Sequence, residues 1–159
     1  MTLFETLGSL FIALIVFTGS AYMISKAIDN DKISRAQQNL STFRLDIKNL
    51  YAGASDFTGL TTDVAVKNEI VPDNMLKSNG DVRNVWNGAV TVAAGATPTT
   101  FTITHNEVPK YACAKLATFQ VGSWVSISVN GFEISQASGM LRAISDRLGD
   151  TNTIIFTSN

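Results

Sequence analysis

The chain is poor in the residues that build chemistry. Cysteine and histidine occur once each in 159 residues, as Cys113 and His105. A lone thiol closes no intrachain disulfide, and metal centres made of His and Cys clusters have no ligand set here. There is no glycine-rich phosphate loop and no carboxylate pair with a pocket, so nothing argues for an enzyme or for a cofactor. Charge is scarce as well. Lys and Arg number 12 and Asp and Glu 13, a net charge of −1 that favours neither nucleic acid nor an acidic membrane surface. The run from Thr6 to Ser25 carries no charge at all, and no proline occurs before Pro72.

What remains in that first stretch is hydrophobicity. About 20 apolar residues span about 30 Å of hydrocarbon as a helix, and the segment meets that length. A secretory signal would show a basic start and a small-residue cleavage site. No Lys or Arg precedes Lys26, so the segment is expected to be retained. Glu5 stands at its head. One reading makes it a helix N-terminal carboxylate, stabilised by about 0.3–1 kcal/mol, or a headgroup-level charge. The other buries it among the apolar helices of many copies, where a carboxylate is costly unless paired.

The pattern then becomes one-sided. Ile33, Ala36, Leu40, Phe43, Ile47 and Leu50 form one apolar stripe, with Lys32, Arg35, Gln37, Gln38, Asn39, Arg44, Asp46, Lys48 and Asn49 facing away. Gly8 and Gly19 are the helix-weakening residues in this stretch. Residues 1–52 are therefore predicted as one helix of about 75 Å, apolar all round over 1–25 and amphipathic over 26–52.

Residues 53–159 read as a small head. Short helices are predicted over Thr62–Ile70 (capped by Thr61 or Thr62), Val108–Phe119 with Pro109 in the first turn, and Gln136–Leu148. Strands are predicted in GAVTVAAG, TTFTITH, SWVSISV, FEIS and Thr153–Thr157, with Asn130-Gly131 as a hairpin turn. The architecture is α+β: a long helix packed on an antiparallel sheet.

MTLFE followed by about 20 apolar residues resembles the mature N-terminus of type IV pilins, and Met in first place resembles the type IVb class. In the head, NVWNGAVTV, TFTITHNEVPKYACAKL, SWVSISVNG and NTIIFTSN resemble the PilS-type pilins of conjugative thin pili. The resemblance implies the type IV pilin fold and a homopolymeric, extracellular filament on a Gram-negative cell, serving cell contact, adhesion or conjugation. It implies that Met1 is the processed, N-methylated terminus, that Thr2 and Leu3 lie where the prepilin peptidase reads, and that Glu5 and Met1 set assembly register. Leu3, Phe4, Leu7, Leu10, Phe11 and Leu14 would enter the filament core, and Gly19 falls where pilin helices lose helical structure inside it. Implied partners are other copies of the chain, the inner membrane before assembly, the inner-membrane assembly machinery and a minor tip adhesin, with no sequence-specific nucleic acid binding. Type IVb pilins usually staple their C-terminal region with a disulfide. Cys113 sits where the first cysteine belongs, but AISDRLGD lacks the second, and the apolar face of 140–148 is expected to replace it by packing. Alternative readings are a minor pilin, a secretion pseudopilin, and a single-span membrane-anchored binding domain.

Other residues have ordinary expectations. Cys113, between Ala112 and Ala114, reads as a buried thiol, with an intermolecular disulfide as the alternative. His105 reads as solvated. Trp86 and Trp124 read as core or subunit-interface aromatics, with sugar binding as the alternative. Asp29, Asn30 and Asp31 resemble a calcium fragment without its further ligands, hence a solvated helix face.

Overall fold

A computed structural model describes residues 2–159. Helix α1 runs unbroken from Leu3 to Leu50, close to the predicted bounds. The chain divides inside this helix into two compact units, residues 1–32 and 33–159.

In the first unit the described apolar side chains have no protein partner to bury them. Phe4 is 87% exposed and Leu10, Phe11 and Leu14 are more than half exposed. Four hydroxyls here are satisfied locally. Thr6 donates to the carbonyls of Thr2 and Leu3, Ser9 to Thr6, Thr18 to Leu14 and Ile15, and Ser20 to Val16. Such back-bonding removes the polar cost of Ser and Thr in an apolar setting. By length and composition the segment can cross a membrane.

The second unit is built on the one-sided stripe. Ile33, Ala36, Leu40, Phe43 and Ile47 are buried in one core with the head, each of the large ones contributing about 1.5–3 kcal/mol by leaving water. Leu50, at the last turn, is 38% exposed and lies outside that core. Of the residues assigned to the solvent side, Asn39 is buried and Lys32, Gln37, Arg44 and Asp46 are half-buried. The Arg44 guanidinium stacks over Trp124 at 4.3 Å and donates to Ser158 Oγ and Ser123 Oγ. The sequence pattern predicts that Arg44 faces away from the core, yet it bridges helix to sheet through its long stem.

The sheet has five strands in the order β1-β2-β5-β3-β4. They are β1 Val90–Ala94, β2 Phe101–Pro109, β3 Ser126–Val129, β4 Phe132–Glu133 and β5 Thr151–Ser158, all paired antiparallel. The C-terminal strand is central, between β2 and β3, and runs longer than predicted because both its edges are paired. Buried residues alternate along β2 and β5, so Phe101, Ile103, His105, Ile154 and Phe156 share the inner face. The outer edge of β1 is covered: Val92 N–H donates to Thr62 Oγ1, and Ala94 N–H to the Leu60 carbonyl.

Three helices differ from expectation. Helix α2 spans Thr62–Lys67, capped by Thr61, one of the two candidates, and stops three residues early as Asn68 closes it and Glu69 turns to φ 55°. Helix α3 spans Lys110–Ala117. Val108 and Pro109 belong to β2, which a bulge after His105 carries onward, and Pro109 caps the helix at ψ 153° rather than entering its first turn. Helix α4 is only Met140–Ser145, because Gly139 at φ 88° leaves the chain non-helical before it. Its Ile144 is buried while Leu141 is 60% exposed, so the apolar face of 140–148 is only partly used. Strand β3 begins at Ser126, after a 3₁₀ turn at Val121–Ser123, and Asn130-Gly131 makes the predicted hairpin turn with both φ positive.

Candidate assembly interface

The candidate residues of the apolar segment cluster at the start of α1. Thr2 occupies the N-cap, and its backbone N–H donates to Glu5 Oε2 at 3.1 Å. Glu5 is thus the third helical residue reaching back to the cap, half of a capping box. Its carboxylate also lies at the positive end of the helix dipole. The contact directs the Glu5 side chain back over the first turn of the helix. Met1 lies outside the described residues. Leu3, Phe4, Leu7, Leu10, Phe11 and Leu14 are all exposed. Gly19 is embedded in continuous helix, and a Cβ there would meet nothing within 4 Å. The segment therefore presents a carboxylate followed by an apolar surface with no partner in its own unit. Chemically that surface can anchor in lipid or pack against like surfaces, and it holds no reacting group.

The head's candidate residues are placed as follows. Cys113 is buried on α3, and burial pushes its thiol up to about 11, which leaves it unreactive. His105 departs from the sequence reading. It is 1% exposed on the inner face of β2, neither ring nitrogen has a hydrogen-bond partner, and desolvation pulls its pKa down to about 4. The reading failed because HNE looked like a strand end, whereas the bulge extends the strand beyond it. Trp124 is buried against Phe156, with ring centroids 5.0 Å apart. Trp86 is half-buried on a surface turn, its indole N–H donating to the Tyr111 hydroxyl at 2.9 Å. Among the described residues no group of His, Cys, Asp and Glu could hold a metal.

The sequence reading missed a network of four asparagines. Asn84 accepts from the N–H groups of Trp86 and Gly88 and donates to the Asn106 carbonyl. Asn106 donates to the Ala89 carbonyl and accepts from Thr153 Oγ1. Asn130 donates to Asn152 Oδ1 and the Arg147 carbonyl and accepts from Thr153 N–H. Asn152, buried, donates to the carbonyls of Val108 and Gly149. These bonds tie the 147–149 loop to β2, β5 and the turn after β3, the region where the resemblance implies a disulfide staple. Only Asn130 carries a sequence expectation, as a turn residue, and the partners in this network lie up to 44 residues apart.

A long N-terminal helix, exposed and apolar in its first half and packed on an antiparallel sheet in its second, is the type IV pilin fold. The solved crystal structure of TcpA, a type IV pilin from Vibrio cholerae El Tor biotype, matches it with a TM-score of 0.55 at 14% identity, covering 81% of this chain and 99% of that one. The family model described as PilS N terminal matches residues 30–159. The chain belongs to this PilS family of type IV pilins, which are structural subunits and not enzymes. It is also similar to the major structural subunits of the bundle-forming pilus from two Escherichia coli strains. With the O111:H- protein it shares 26% identity over 87% of this chain and 71% of that one. With the O127:H6 protein it shares 26% over 77% of this chain and 65% of that one.

Proposed function

We propose that this chain is the major structural subunit of a type IVb pilus, of the conjugative kind. The observation that carries the reading is the first half of α1: exposed, apolar, with four hydroxyls bonded to its own backbone carbonyls and Glu5 at its head. The similarity to major subunits of the bundle-forming pilus supports the major role; the PilS-type stretches of the head support conjugation. Residues 1–25 act as the inner-membrane span and then as filament core, 26–52 dock the head, and 53–159 form the outer surface. The prepilin peptidase and the inner-membrane machinery prepare and extract the subunit, and Met1 is the processed, methylated terminus. A tip adhesin completes the fibre.

In assembly, Glu5 leaves its own cap and meets the Met1 amine of a copy already in the filament. Apolar neighbours strip water from both charges, so a subunit in the wrong register leaves a charge unpaired at several kcal/mol. Gly19 supplies a place where the helix can extend. Replacing Glu5 tests this. Glu5→Ala is expected to accumulate in the inner membrane at wild-type level and to be missing from sheared surface fibres, as measured by immunoblot of both fractions. Fibres at wild-type abundance from that variant would refute the register role.

A further inference from the structure

On the head lies a polar cleft of about 340 Å³ beside the β2 bulge. That volume is within the range of ligand pockets, about 300–1,000 Å³. Its floor is rigid. Asn106, Asn152 and Thr153 line it, with the amides of both asparagines committed to backbone and side-chain partners. Its walls keep hydrogen-bonding capacity. Glu107 stands exposed with no hydrogen bond or ion pair among the described residues, and the Thr151 hydroxyl is likewise without one. Arg83 donates from both terminal nitrogens, to Asp81 and to the Asn87 carbonyl. The aspartate therefore offsets its charge, and the cleft presents no net cationic field for an anion.

Two features mark the cleft and the 84–88 turn that joins its lining residues Arg83 and Ala89. Glu107 and Asn87 hold φ of 54° and 67°, left-handed values that side-chain-bearing residues adopt at a cost and that gather at ligand clamps. An aromatic pair joins that turn to α3: the indole N–H of Trp86, on the turn, bonds the hydroxyl of Tyr111, on the helix, and Tyr111 is 44% exposed. The Asn84 side chain couples this turn to the bulge, since it accepts from Trp86 N–H and donates to the Asn106 carbonyl.

Spare acceptors on a carboxylate, a spare hydroxyl, amide-braced walls and an adjacent aromatic edge suit a ligand with many hydroxyls and apolar C–H faces. We propose that this cleft binds a neutral saccharide, with Glu107 and Thr151 taking sugar hydroxyls and the Trp86–Tyr111 pair packing against a ring face. The site does not depend on the pilus reading, because the head binds as a monomer.

The test is a titration of the full chain in phosphocholine micelles, read by nuclear magnetic resonance at the Trp86 indole and the Asn106 and Asn152 side-chain amides. Chitotriose stands for N-acetylated surface glycans and maltotriose for plain hexose polymers. The expected result is a saturable shift of these signals at millimolar sugar with one of the two, identifying the source, while the buried Trp124 indole stays fixed. Glu107→Gln, which keeps size and backbone, should weaken binding at least about fivefold, and Trp86→Phe should weaken it while leaving the head's spectrum otherwise intact. Absence of a saturable shift with both sugars overturns the proposal. So does binding that Glu107→Gln and Trp86→Phe leave unchanged.

Discussion

Acid should loosen the head through His105. Its imidazole sits on the inner face of β2, edge-on to Phe156 with ring centroids 6.1 Å apart and with neither nitrogen hydrogen-bonded. Desolvation lowers its pKa from 6.5 to about 4. The sign follows from proton binding. Between those values the unfolded chain holds a proton that the folded chain does not, so stability falls as pH drops through 6.5 and stops falling from this source below about 4. The gap corresponds to about 3 kcal/mol at about 1.4 kcal/mol per pH unit, a large share of an ordinary domain stability of about 5–15 kcal/mol. Asp56 and Asp81 also have lowered pKa values, from hydrogen bonds to Thr58 and to Arg83, and they add losses at the acid end. A difference measurement separates the two sources. Urea unfolding in micelles, followed by circular dichroism at pH 7, 5.5 and 4, should show wild type losing about 3 kcal/mol more than His105→Leu over that range. Equal losses in both proteins would refute the buried, unpartnered imidazole.

Gly88→Ala should destabilise the head by about 1–3 kcal/mol or more, because the new Cβ would stand 1.9 Å from the Asn106 carbonyl oxygen; Gly53→Ala, with nothing within 4 Å, is the control in the same thermal melts. Asn152→Ala should cost about 3 kcal/mol by orphaning the Val108 and Gly149 carbonyls and the Asn130 amide, read as a lower urea midpoint. Cys113 should resist iodoacetamide in the folded protein and react fully in urea, by intact mass, and reductant should leave the melting temperature unchanged, since the thiol is buried and unpaired.

Periodicity within a few turns was legible without the fold. The stripe from Ile33 to Ile47, the uncharged run after Glu5, the Thr61 cap and the Asn130-Gly131 turn each depend on neighbours close in sequence, and each occurs as read. The helix ends after Ile70 and before Met140 were misplaced, because Asn68, Glu69 and Gly139 stop helices by backbone geometry that hydrophobic spacing does not report. The capping contact of Glu5 was implicit in the Thr2-to-Glu5 spacing and went unread.

By itself, then, the sequence determined that a long helix changes from all-round apolar to one-sided near Lys26 and carries an α+β head, because local propensity and the hydrophobic period act between residues a few positions apart. Only the tertiary structure decided that the last strand lies at the centre of the sheet, pairing Phe101 with Ser158. It also decided that the bulge after His105 buries that ring, and that asparagines from four separate loops and strands knit the C-terminal region where a disulfide was missing. Those outcomes rest on strand register and on contacts between distant segments, and their free energy appears only when the whole sheet closes over the helix.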